Sequence, residues 1–140
     1  MIRFHTDSRS EKVAEIAKDD RVSALLYNKD LKLQIRARGR AALRQKDDTA
    51  RFAFAEAKPL GRVCYRIQPG PGSAIDEPDA YSHSNSGEAE GTATDPGWPN
   101  FCAVDLSLHE IEILYLAHEG HRRARFAKTS AGYAASWLAP

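Results

Sequence analysis

The 140-residue sequence predicts a mainly β domain, an antiparallel barrel or sandwich with flanking helices. Three observations predict it. Apolar and polar residues alternate along Ile2–Thr6, Leu31–Arg44, Phe101–Leu108 and His121–Phe126, as they do on half-buried strands. Neighbouring strand segments are joined by hairpin-like breaks. The helical patterns are few and do not alternate with the strands, as a parallel sheet would require.

The elements follow in order. Ile2–Thr6 is a short strand. Ser8–Lys18 reads as a helix, with Ser8 at the cap, Glu11 three residues on, and Val13, Ile16 and Ala17 on one face. Asp19 and Asp20 sit badly against the negative end of the helix dipole, so the helix stops before them. Arg21–Tyr27 is apolar on both faces, and Asn28-Lys29-Asp30 is a hairpin loop. In Leu31–Arg44 the odd positions Leu31, Leu33, Ile35 and Ala37 face one way, and Lys32, Gln34, Arg36, Arg38 and Arg40 the other. That second face is too polar for a core. Asp47–Lys58 reads as a helix and Leu60–Ile67 as a shorter one, separated by Pro59. Residues 68–100 hold five of the seven prolines and read as a long irregular loop. Phe101–Leu108 is a strand. The apolar phase then flips to Ile111, Ile113 and Tyr115, which predicts a turn or bulge near His109-Glu110. His121–Phe126 and Ala134–Leu138 complete the strands.

Lys plus Arg number 20 and Asp plus Glu 19, so no overall field favours a nucleic acid or an anionic membrane. Charge is local instead. Lys32, Arg36, Arg38, Arg40 and Arg44 form one basic segment, and His121, Arg122, Arg123, Arg125 and Lys128 another. Six acids and no Lys or Arg lie between Asp76 and Asp95. No apolar run is long enough to cross a bilayer, and Met1-Ile2-Arg3-Phe4 leads directly into a strand pattern, which reads as a cytoplasmic chain without a leader. Cys64 and Cys102 have no His or Cys at metal spacing. They read as reduced thiols, with a disulfide between them as the alternative.

Three stretches carry chemistry. In FHTDSRSEK (Phe4–Lys12), a helix start offers free amides, Ser10 a hydroxyl, and Arg9 and Lys12 positive charge. This is either a plain cap or an anion seat, and Glu11 would compete for the same amides. In LQIRARGR (Leu33–Arg40), Gln34 is a neutral amide on a charged face and can read a ligand's donors and acceptors; a solvated arginine strand is the alternative. In YLAHEGHRRARF (Tyr115–Phe126), Tyr115 and Arg125 can sandwich a planar anion, against a solvated strand or a nucleic-acid contact. No Ser-His-Asp order, paired-carboxylate motif, Walker loop or GxGxxG is present.

These stretches in this order, FHTDSRSEKVAEI, RVSALLY followed by LQIRARGRA, and YLAHEGHRRARF with the terminal WLAP, resemble the pyridoxamine 5'-phosphate oxidase-related family of FMN-binding split barrels. The likeness is to its flavin-binding relatives rather than to the true oxidases. It covers most of the chain and implies one domain over residues 1–140, an antiparallel split β-barrel with flanking helices. It implies FMN as cofactor and a homodimer with flavin at the interface. His5 and Thr6 match the family's aromatic–Thr pair, and Ser10-Glu11-Lys12 its Ser-Arg-Lys run, with Glu11 where the oxidases carry Arg. Gln34 matches the strand glutamine that reaches the flavin, Gln68 a second flavin-contacting glutamine, and Tyr115 and Arg125 the aromatic and Arg near the C-terminal strand. Lys58, His121 and Arg123 are the substrate-side candidates. The oxidases' Arg-x-His-Asp-Arg stands here as His121-Arg122-Arg123-Ala124-Arg125. Family members carry a helix and two strands ahead of the segment that opens this chain, so the comparison reads it as an N-terminally truncated barrel. The function implied is flavin-dependent oxidoreduction of an unidentified small molecule. The alternatives are a non-catalytic flavin-binding or dimerisation module and a nucleic-acid binder using the Arg-rich strands.

Overall fold

Strand alternation organises the molecule around one long strand, β6 (Phe101–Tyr115). The computed structural model describes residues 1–83 and 92–140. In chain order these residues form β1 (Ile2–Asp7), α1 (Glu11–Lys18), β2 (Arg21–Asn28), β3 (Leu33–Arg44), α2 (Asp48–Glu56), α3 (Pro59–Val63), β4 (Ile67–Gln68), β5 (Ser82–His83), β6, β7 (Arg122–Thr129) and β8 (Gly132–Leu138). The main sheet runs β2-β3-β6-β7-β8, with β1 also paired to β6. The fold is therefore mainly β and antiparallel. No helix among the described residues is long and apolar enough to cross a membrane.

The chain divides into two compact units, and β3 and β6 run through both. The first holds Met1, Asp20–Ala41 and Leu106–Pro140. Its ladders are regular: Tyr27 faces Gln34 and Arg21 faces Arg40 between β2 and β3, Tyr115 faces Arg122 between β6 and β7, and Thr129 faces Gly132 between β7 and β8. Gly39 is required here. A Cβ at this position would lie 2.3 Å from the Ser107 carbonyl oxygen, a contact that backbone cannot yield to.

The second unit holds Ile2–Asp19 and Ala42–Asp105. Its core forms where α2 lays Ala50, Ala53 and Phe54 against Phe101 and Ala103 of β6, with Tyr65 and Trp98 packed on the outside. The rings meet edge to face: Phe54 and Phe101 centroids are 5.1 Å apart and those of Tyr65 and Phe101 5.2 Å, a geometry that aromatic quadrupoles favour. Helix α2 starts as the sequence predicts, because the Asp47 side chain accepts the Ala50 amide. Arg66 and Asp95 form a buried pair at 2.9–3.0 Å, and Asp95 also accepts the Gly97 amide.

Four local expectations are corrected. Helix α1 begins at Glu11, not Ser8, and Ser10 is its N-cap residue without a side-chain cap bond. The Ser8 amide instead donates to the Asn100 carbonyl, so no capping box forms. No turn breaks the strand near His109-Glu110, since β6 is continuous there and its ladder with β7 runs from Glu110 to Tyr115. The apolar phase flips there because Glu110 and Glu112 turn to a face lined with arginine. The helix expected over Leu60–Ile67 ends at Val63, followed by a 3-10 turn over Cys64–Arg66. Within 68–100, Ile67 and Gln68 pair with His83 and Ser82, and 3-10 turns occupy Thr92–Thr94 and Trp98–Asn100. The acids at 88 and 90 lie outside the described residues. Cys64 and Cys102 are both free.

Phe54 is fully buried, whereas Phe52 on the same helix is 67% exposed. Phe54→Ala should cost about 3–5 kcal/mol in denaturant unfolding, and Phe52→Ala should change stability by less than about 1 kcal/mol. Equal losses would place the core elsewhere.

Candidate functional site

The sequence-predicted residues fall in both units, and each group is described within its own. In the second unit, β1 delivers Thr6, the turn after it Ser10, and the first turn of α1 Lys12. The turn after β1 is held by Asp7. Its carboxylate accepts the Arg9 amide at 2.9 Å and the Arg9 guanidinium through Nε at 2.9 Å and Nη2 at 2.8 Å, and its carbonyl accepts the Ser10 hydroxyl at 2.7 Å. Ser10 thus turns its side chain away from the first-turn amides of α1: the Val13 amide donates to the Ser10 carbonyl at 3.0 Å, and no side chain of the N-cap residue covers the Glu11 and Lys12 amides. The Thr6 and Ser10 hydroxyl oxygens lie 3.4 Å apart, and Lys12 Nζ is 3.4 Å from Thr6 Oγ1. Thr6 and Ser10 are buried, and Lys12 is exposed.

Arg9 does not add a free cation to this corner: it is taken by Asp7 and by the Ile67 carbonyl at 3.0 Å. Lys12 makes no ion pair among the described residues. A cation, two hydroxyls and an open helix start therefore converge, which suits a phosphate. The fit is through one cation, and Glu11 brings a negative charge to the same turn. His5 packs edge-on against Phe101 at 5.0 Å. Burial and then the nearby Arg3 charge push its pKa down, so it adds no positive charge at neutral pH.

In the first unit, Gln34 and Arg36 of β3, Glu112 and Leu114 of β6 and Arg123 of β7 line one cavity of about 130 Å³. Register puts them on one face, since Leu114 faces Arg123 and Glu112 faces Arg125. Arg123 donates to Glu112 through Nε at 2.9 Å and through Nη2, and Arg38 donates to Glu110 at 2.7 Å. The Arg123 hydrogen bond, with the Arg38 and Arg36 charges behind it, holds Glu112 below the ordinary carboxylate range against the opposing effect of burial. Ligand pockets generally enclose about 300–1,000 Å³, so this cavity is small and admits part of a ligand.

Tyr115 pairs with Arg122 and Arg125 with Glu112, so Tyr115 and Arg125 leave opposite faces of the ladder. They cannot sandwich one ring within a single chain. His121 is exposed just before β7. Lys58 is the exposed N-cap residue of α3, and Gln68 is exposed on β4; neither joins the Thr6–Ser10–Lys12 corner by a hydrogen bond. Arg36 was missed as a site residue, because in sequence it is one arginine of a row. No group of three or more His, Cys, Asp or Glu among the described residues is placed to hold a metal.

Comparison with known proteins follows the same lines. Residues 1–45 match the family model "Pyridoxamine 5'-phosphate oxidase, FMN-binding domain". The structure is similar to that of a pyridoxamine 5'-phosphate oxidase-related, FMN binding protein from Nostoc punctiforme PCC 73102, with a TM-score of 0.76 and 24% identity over 99% of this chain and 72% of that one. The fold is the FMN-binding split barrel. The barrel is also similar to PhzG from Burkholderia lata 383, solved in complex with tetrahydrophenazine-1-carboxylic acid, with a TM-score of 0.64 and 20% identity over 99% of this chain and 68% of that one. No curated protein matches the sequence. The match over 1–45 contains the Lys12 corner and Gln34.

The lowered Glu112 pKa has a pH consequence. The carboxylate binds its proton less readily folded than unfolded. Its contribution is full above the unfolded value of about 4.3 and is lost as pH falls through the lower folded value. Glu112→Gln should therefore show a shallower loss of urea stability below about pH 5 than the wild type. An unchanged acid limb would contradict the pairing.

Proposed function

We propose that this split barrel binds FMN and acts as a flavin-dependent oxidoreductase on a small molecule, as a homodimer in the cytoplasm. The observation that carries the reading is the convergence of Lys12 with the Thr6 and Ser10 hydroxyls at the open start of α1, inside the segment that matches the FMN-binding family model. Lys12 supplies the charge for the phosphate and the Thr6 hydroxyl beside it a donor; the Ser10 hydroxyl, whose one proton goes to the Asp7 carbonyl, positions Thr6, and the Glu11 and Lys12 amides complete the seat. Gln34 and Arg125, on the polar face of the first unit, are the candidates for contact with the flavin ring. FMN supplies the hydride or electron chemistry when bound, and the protein orients it and excludes water.

The homodimer is supported by the edge strand β2, where Leu25, Leu26 and Tyr27 are 65%, 50% and 58% exposed. An apolar sheet edge left to solvent is a pairing surface. Two free thiols suit a reducing compartment. A second reading, flavin binding without turnover, is favoured by Glu11, whose charge beside Lys12 weakens the hold on a phosphate.

Purified protein incubated with FMN and passed through a desalting column should retain a visible flavin absorption band, and Lys12→Ala should lose most of it, weakening affinity roughly tenfold or more. A colourless wild type would overturn the reading. Flavin retention with no consumption of NAD(P)H or oxygen across amine, nitro and quinone substrates would leave the binding module in place of the enzyme.

A further inference from the structure

Of the cations lining the Gln34 cavity, one makes no hydrogen bond. Arg123 is committed to Glu112 through two donors. Arg36 is half-buried, lines the same cavity, and makes no hydrogen bond or ion pair among the described residues. The lining thus holds Arg36 and Arg123 against Glu112, a net charge of +1. The Arg36 charge acts on Glu112 through space, without a hydrogen bond, so its guanidinium donors stay open to an incoming anion.

The other lining groups narrow the anion. Leu114 offers an apolar wall and Gln34 a neutral amide, so the ligand has an apolar body and a polar edge. Glu112 is ionised and repels a second negative charge. One net positive charge balances a monoanion, whereas a phosphate dianion would stay half uncompensated. The planar fork of arginine matches a carboxylate in two parallel hydrogen bonds.

We propose that Arg36 is the anion-recognising residue of this cavity and that its ligand is a small planar carboxylate, the substrate class of the split barrel. The assignment to substrate rests on the flavin reading above; the carboxylate site itself does not. Glu112 and Arg123 are then positioning residues, whose mutual bond leaves Arg36 free.

The test is calorimetric titration of the full chain with sodium benzoate, benzamide and phenyl phosphate, with and without FMN. Benzoate should bind roughly tenfold or more tightly than its neutral isostere benzamide, and more tightly than phenyl phosphate. Arg36→Gln should reduce benzoate affinity by a similar factor. Arg36→Lys, which keeps the charge and loses the fork, should lose several-fold. Arg40→Gln, whose guanidinium pairs with Asp20 outside the cavity lining, should stay within about threefold, with thermal melts showing that each variant is folded. Benzoate affinity unchanged in Arg36→Gln, equal binding of benzamide, tighter binding of phenyl phosphate, or no benzoate binding would each overturn the proposal. FMN uptake without benzoate binding would sink this inference alone. Benzoate binding without FMN uptake would sink the flavin reading and leave the carboxylate site standing.

Discussion

Three acids on one strand, Asp105, Glu110 and Glu112, set the terms for the strands around β6. A carboxylate taken out of water in a sheet is tolerable only if a cation meets it. Asp105 is buried and met by Arg3 of β1 at 2.6 and 3.0 Å and by Arg44 of β3 at 3.3 Å. Arg3, with help from Arg44, holds the Asp105 pKa down against burial. Glu110 is met by Arg38 of β3, and Glu112 by Arg123 of β7. Such pairs add little net stability compared with an apolar core, yet removing one partner strands the other and is costly. They therefore fix which strands lie beside β6 more than how strongly these strands hold.

That constraint reinterprets the arginine-rich segments. Part of their charge is structural: Arg38, Arg44 and Arg123 answer acids on β6, and Arg40 answers Asp20 at 2.6 Å. Arg9, which looks like a phosphate ligand in sequence, answers Asp7. What remains for chemistry is smaller and better defined. Lys12 stands beside two hydroxyls at a helix start, and Arg36 stands in a cavity with an already satisfied acid.

The legible part of the fold was the part set by local pattern. The faces of β3, the presence of α2 and the antiparallel order all follow from period and propensity. The illegible part depended on partners far along the chain. Glu110 and Glu112 looked like an interruption because their partners are arginines 72 residues before and 11 residues after. Ser8 looked like a cap because nothing local shows that Asn100 accepts its amide. Thr6, Ser10 and Lys12 were legible as a group, since a turn brings residues six apart together. Tyr115 and Arg125 were not, because strand register decides which face each takes. Arg36 was hidden for the same reason that Arg38 was misread: sequence lists the cations and not the acids that consume them.

The central claim is that Lys12, Thr6 and Ser10 hold a flavin phosphate. It is tested most directly by comparing FMN with riboflavin, which lacks that phosphate, on the wild type and on Lys12→Ala. The account predicts that the wild type binds FMN roughly tenfold or more tightly than riboflavin. It also predicts that the preference collapses in Lys12→Ala while riboflavin affinity stays the same. Equal affinity for the two flavins in the wild type, or a preference for FMN that survives loss of Lys12, would contradict it.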